Sequence, residues 1–193
     1  GAIWESFDHA RHILIRESNG VSDNPLIFEK DGDILSGGNF HGESPALVMD
    51  YLGMALAELG SVSERRVATL TDTRMSTLPA FLVEDSGLNS GFMLAHVTAA
   101  SLVSENKILA HPSSVDSIPT SANQEDHVSM GHRAGTKLLE IIENVTTILA
   151  IELLCAMQGI DFHRPRHSSP VIEALHNDFR MTVPYYEKDR LMA

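Results

Sequence analysis

The run Ile148-Leu149-Ala150-Ile151-Glu152-Leu153-Leu154-Cys155-Ala156-Met157 is apolar on nearly every side of a helix. A helix of that kind is buried all round, inside a large bundle or against a partner chain. Ten residues with one Glu fall far short of the roughly 20 apolar residues that span a membrane. The run belongs to a longer periodic segment, about 128–158, set by Leu138, Ile141, Ile142, Val145, Ile148 and Leu149. Two further segments carry the same helical period. Residues 44–72 place Leu47, Tyr51, Met54, Leu59 and Val62 on one stripe, and residues 89–111 carry an Ala-rich face. Ser44 and Pro45 read as the cap and first residue of the former. Three long helices of this type call for an all-α long-helix bundle.

The rest of the chain is fitted around them. Residues 1–20 read as a helix ended by Asn19-Gly20. Residues 21–42 hold a small inserted β-hairpin, with Leu26-Ile27-Phe28 and Ile34-Leu35 flanking an Asp31-Gly32 turn. A Gly-rich loop follows, Ser36-Gly37-Gly38-Asn39-Phe40-His41-Gly42. Its glycines either bend the backbone to present side chains or simply turn the chain into the next helix, and both readings stay open here. No Lys-Ser/Thr follows, so it is not a phosphate loop. Residues 160–193 read as a polar strap lying over the bundle, with a short helix from Ser169 and Pro170 to about residue 177. The 193 residues suffice for one helical body.

Fourteen basic residues against 26 acidic ones give a net charge of −12. Such a surface repels nucleic acid and anionic membrane, so neither is an expected partner. The single cysteine, Cys155, lies in the apolar run and reads as a buried thiol. With no visible targeting segment, the expected compartment is the cytoplasm.

Chemistry concentrates at Ile118-Pro119-Thr120-Ser121-Ala122-Asn123-Gln124-Glu125-Asp126-His127-Val128-Ser129-Met130-Gly131. Amide, carboxylate, imidazole and hydroxyl groups crowd there between two helical segments. The stretch is either a capped helix start, with Ser121 or Asn123 as N-cap, or a site on a rigid scaffold. A metal site from Glu125, His127 and His132 matches no helical ligand spacing, so no metal is expected.

Residues 36–43 and 123–131 closely resemble the histidine-specific branch of the aromatic amino acid lyases, within the fumarase/aspartase-like helical superfamily. Ser22-Asp23-Asn24-Pro25-Leu26, Ser63-Glu64-Arg65-Arg66, Gly87-Leu88-Asn89-Ser90-Gly91-Phe92-Met93, Ser104-Glu105-Asn106-Lys107 and His111-Pro112-Ser113-Ser114 agree as well. The resemblance implies non-oxidative deamination of L-histidine to urocanate and ammonia, in histidine catabolism. It implies Phe40 beside the prosthetic ring, Glu125 facing the substrate imidazole, and Gln124, His41 and Asn39 shaping the pocket. It also implies a homotetramer. The alternatives are a tyrosine or phenylalanine lyase, an aminomutase, or a non-catalytic helical assembly module. Glu125 and His41 favour histidine, since relatives acting on phenylalanine typically carry Gln at the first position and often at the second. The family's methylidene-imidazolone (MIO) cofactor forms from an internal Ala-Ser-Gly, and none occurs in these 193 residues. The chain therefore resembles a C-terminal portion, expected to be inactive alone.

Overall fold

A computed structural model describes residues 1–191. It is largely helical. In chain order the elements are α1 (Ala2–Ser18), β1 (Leu26–Phe28), β2 (Asp33–Leu35), α2 (Glu43–Thr71), α3 (Thr73–Ser76), α4 (Met93–Leu109), α5 (Gly131–Phe162) and α6 (Pro170–Thr182). The two strands pair antiparallel, with Leu26 opposite Leu35 and Phe28 opposite Asp33. Gly32, at φ +73°, makes the turn that the Asp-Gly pair predicts. The residues group into two compact units. One holds Gly1–Leu59 and Glu105–Glu143; the other holds Gly60–Ser104 and the chain from Asn144 onward.

The first unit packs helices through small residues. A Cβ added at Gly53 of α2 would stand 3.2 Å from Cδ1 of Ile141 on α5, and one at Gly135 would stand 3.3 Å from Sδ of Met49. Close approach at those two points explains why glycine sits inside long helices despite costing about 1 kcal/mol there relative to alanine. Ala46, Val48, Leu52, Leu56, Ala134, Leu138 and Ile141 are the buried apolar side chains of this unit's α2 and α5. Among the described residues α2 alone has the length and apolarity of a membrane span. Its buried Asp50 and Glu64 mark it instead as a core helix.

The second unit has the larger core. Val67, Leu78, Leu82, Phe92, Ala95, Cys155 and Tyr186 cluster there, with Leu70, Ile151, Leu154, Phe162 and Val183 against them. Phe92 meets Tyr186 edge-on at 5.3 Å, a favoured aromatic arrangement. Gln158 is fully buried and ties the strap down: its amide donates to the carbonyls of Leu82 and Tyr186 and accepts from the Tyr186 N–H. The Glu64-Arg65-Arg66 cluster is interhelical. Glu64 binds Arg65 and His96, while Arg66 and Ser63 bind Glu152. Burial disfavours charge on Glu64 and Glu152, but these partners outweigh it and hold both carboxyls below the ordinary range.

Several boundaries differ from the sequence reading. α2 starts at Glu43 rather than from a Ser44 cap, because left-handed Gly42 turns the chain and its carbonyl accepts the Ala46 N–H. α4 starts at Met93, not near residue 89, because Gly87 and Gly91 hold the preceding residues in turns with positive φ. α5 starts at Gly131, not Val128, where Met130 takes φ +55° and the Ser129 hydroxyl accepts the Gly131 N–H. It then continues through Gly159 to Phe162. Gly159 is a packing contact rather than a helix stop, since a Cβ there would sit 3.2 Å from Leu78. The expected strap, 160–193, ends outside the described residues; its described part, 160–191, is more helical than expected. α6 reaches Thr182, with Ser169 accepting the Ile172 N–H as its cap, and Tyr186 enters the core. The run 148–157 is not buried on every side. Ile148, Cys155 and Met157 are buried, whereas Leu149 and Leu153 are 37% and 38% exposed.

Two outcomes follow from this core. Burial, with the Glu152 charge adding to it, pushes the Cys155 thiol up to about 12. Thiolate is the reactive form, so iodoacetamide at pH 8 should leave the folded chain unmodified by mass spectrometry and label it fully in denaturant. Gly91 takes φ +52°, and a Cβ there would lie 2.5 Å from the Phe81 carbonyl oxygen and 2.7 Å from Cγ1 of Val83. Gly91→Ala should lower stability by about 2–4 kcal/mol, read as a fall in the denaturant midpoint.

Candidate active site

The Gly-rich loop and the polar stretch before α5 both belong to the first unit, and one contact joins them. Residues Asn39–His41 form a single 3-10 turn, closed by Gly42 at φ +68°. That turn carries Phe40 and His41 side by side, their rings 4.3 Å apart and tilted by 40°. Phe40 remains 38% exposed. His41 reaches across 84 residues of sequence to Glu125, with Nε2 2.6 Å from Oε2.

The far side of this contact is built with unusual backbone. Ser121, Ala122 and Asn123 have φ of +52°, +55° and +66°. Three successive non-glycine residues in that region cost roughly 1–2 kcal/mol each. They are therefore no helix N-cap, and α5 begins eight residues after Asn123. The strained turn is closed by an antiparallel bridge: the Thr120 N–H donates to the Glu125 carbonyl at 3.0 Å, and the Glu125 N–H donates back at 3.3 Å. Glu125 thus leaves a fixed backbone. Downstream, the Val128 N–H donates to Ser117 Oγ, and the Ser129 hydroxyl donates to the His41 carbonyl.

The other sequence candidates fall less centrally. The Asn39 amide donates to Glu17 at 3.2 Å, tying the loop to α1. Gln124 is exposed, with its N–H on the Ser121 carbonyl. His127 lies 3.5 Å from the Glu43 carboxylate. Phe40, His41 and Glu125 form the cluster; Asn39 and Gln124 flank it.

The whole of this arrangement sits in a recognisable sequence frame. A family model described as aromatic amino acid lyase matches residues 1–181. The chain belongs to the aromatic amino acid lyase family. It is 56% identical over all 193 residues to a histidine ammonia-lyase of Legionella pneumophila strain Corby, of which it covers 38%. Among solved structures, a histidine ammonia-lyase from Trypanosoma cruzi superposes with a TM-score of 0.95 at 50% identity, and a Pantoea agglomerans phenylalanine aminomutase with 0.94 at 31%. Each comparison covers all of this chain and 38% of the other. The chain spans well under half the length of these relatives.

Sequence reasoning missed one buried contact behind this cluster. Asp50 on α2 and Lys137 on α5 form a buried ion pair at 3.2 Å, with side chains 4% and 8% exposed. Asp50 also accepts the Ser114 N–H at 2.7 Å, and Lys137 donates to the His111 carbonyl. Together they grip the segment that leads from α4 to Glu125. Burial opposes charge on Asp50, but the Ser114 bonds and Lys137 outweigh it and keep the carboxyl below its ordinary range. The available signal was Asp50 lying between the apolar positions Val48 and Leu52, and Lys137 beside Leu138.

Proposed function

We propose that this chain is part of an enzyme that converts L-histidine to urocanate and ammonia. The observation that carries the reading is the Glu125 carboxylate, held at its Oε2 by His41 beside an exposed Phe40 on a glycine-flanked turn. A carboxylate only accepts hydrogen bonds, and an imidazole substrate has a ring N–H to donate. Oε1 of Glu125 would accept that N–H, with the Phe40 ring as an apolar wall beside the reacting centre. A phenyl ring offers Glu125 no hydrogen-bond donor. That chemistry supports histidine over phenylalanine, and the higher identity to the named histidine ammonia-lyases supports histidine over the other substrates.

The prosthetic ring expected of the family fits what this chain offers. An exposed aromatic on a glycine-flanked turn and a carboxylate on a fixed backbone are suited to line one side of it. When bound, the MIO group supplies the electrophile that takes up the substrate's amino group. Phe40 would pack beside it, and Glu125 and His41 would hold the substrate side chain. The Ala-Ser-Gly that forms the group is not in this sequence, so it must come from other residues of the complete enzyme.

We further propose that the enzyme is a cytoplasmic homotetramer. Leu47, Tyr51 and Met54 on α2 and Leu139 and Ile142 on α5 are 40–63% exposed at helical spacing, and a self-association face of this kind would bury them. The alternative of an aminomutase or of a lyase for tyrosine or phenylalanine keeps the same scaffold.

The deciding experiment is a substrate panel on the complete enzyme. Urocanate absorbance should rise with histidine, and neither cinnamate nor coumarate should form from phenylalanine or tyrosine at a comparable rate. The 193-residue chain alone should give no urocanate. Turnover by it would show that the Ala-Ser-Gly segment is dispensable.

A further inference from the structure

We propose that His41 is a positioning residue that acts through Glu125, fixing which carboxylate oxygen meets the substrate. This rests on the reading of Glu125 as the substrate-facing carboxylate. Glu125 alone could swing about its side-chain torsions and offer either oxygen to any donor. The 2.6 Å contact removes that freedom. An ionised carboxylate only accepts, so His41 Nε2 carries the proton and donates it to Oε2. Oε1 is then the remaining acceptor, in one orientation.

His41 is itself held from several directions. Gly42 at φ +68° closes its turn, Ser129 donates to its carbonyl, and the Phe40 ring lies against its imidazole at 4.3 Å. On the other side the Thr120–Glu125 bridge and three positive-φ residues fix the carboxylate's backbone. Backbone strain kept in place by such bonds is how a structure pre-orders a binding group before substrate arrives. The ligand it suits is a neutral heteroaromatic ring with an N–H. His41 would therefore be a specificity-determining residue, and the ring-binding carboxylate would be a two-residue unit.

The test is a double-mutant cycle in the complete enzyme, with His41→Leu, His41→Gln, Glu125→Gln and the His41→Leu/Glu125→Gln pair. His41→Leu should lower kcat/KM for histidine by about tenfold to a hundredfold, the usual weight of a hydrogen bond to a charged group. His41→Gln keeps an N–H donor and should recover most of that loss. In the Glu125→Gln background, His41→Leu should cost less than about twofold more, because its partner is already gone. Nitrogen NMR of the His41 imidazole supplies a readout independent of substrate: Nε2 should carry the proton, and its resonance should move in Glu125→Gln. An additive cycle, or a His41 resonance unmoved by Glu125→Gln, overturns the role of His41 and leaves Glu125 standing. Full histidine activity in Glu125→Gln overturns the substrate reading of Glu125, and the role of His41 with it.

Discussion

In the complete enzyme, Glu125→Gln should cut histidine turnover by about two to three orders of magnitude, the scale of losing one preorganised polar group at a reacting site. The substitution keeps the volume of the side chain and replaces one carboxylate oxygen with an NH2 donor. Two arrangements are open to the amide. If its oxygen keeps the His41 bond, the NH2 points at the substrate N–H, donor against donor. If the amide flips, it presents a neutral acceptor to the substrate and its NH2 to the His41 N–H. The first arrangement leaves a polar pair unmatched in a partly enclosed site. The second moves the His41 proton to Nδ1 and gives the substrate a neutral acceptor in place of a charged one, so each loses more than a neutral hydrogen bond is worth. Assembly should be unchanged, because Glu125 is bound to the fold through its backbone bridge to Thr120, which Gln retains. Size-exclusion chromatography should give the wild-type elution volume, while urocanate formation falls. Activity near wild type would remove Glu125 from the substrate.

The parts of this molecule that were legible in the sequence are those where one local rule acts alone. Helical period placed α1, α2, α4 and α5, and Asp31-Gly32 placed the hairpin turn. Boundaries failed where one residue type has two uses. Gly159 looks like a helix end, but it packs against Leu78 in mid-helix. Ser121 and Asn123 look like caps, but they adopt left-handed backbone eight or more residues before α5 begins. The cluster itself was not legible from spacing. Phe40 and Glu125 are brought to one place by tertiary packing, and only the family resemblance nominated them together. The Asp50–Lys137 pairing was not legible for the same reason: 87 positions separate its halves, and the apolar neighbours of each hint at burial without naming the partner.

That pair makes the strongest stability prediction. Lys137→Met should lower stability by about 3–5 kcal/mol at neutral pH, because it strands the buried Asp50 carboxylate with the Ser114 N–H as its main support. The pH dependence separates this cause from lost packing. In the parent chain the folded Asp50 carboxyl lies below its ordinary value. Its contribution is therefore fully present above the unfolded value of about 3.9 and is lost as pH falls through the folded one. In Lys137→Met the Asp50 carboxyl keeps its Ser114 bonds but loses the Lys137 bond and charge, so it titrates higher than in the parent, and protonation as pH falls relieves the variant. The stability gap between the two proteins should thus be widest near pH 7 and narrow toward pH 4, as urea midpoints at each pH would report. Adding Asp50→Leu to Lys137→Met should recover a large part of the loss, since it removes the uncompensated charge. A gap that stays constant with pH, and no recovery in the double variant, would mean that Lys137 acts through its methylene packing and its bond to His111. In that case the segment leading to Glu125 is held by the carbonyl contact rather than by the ion pair.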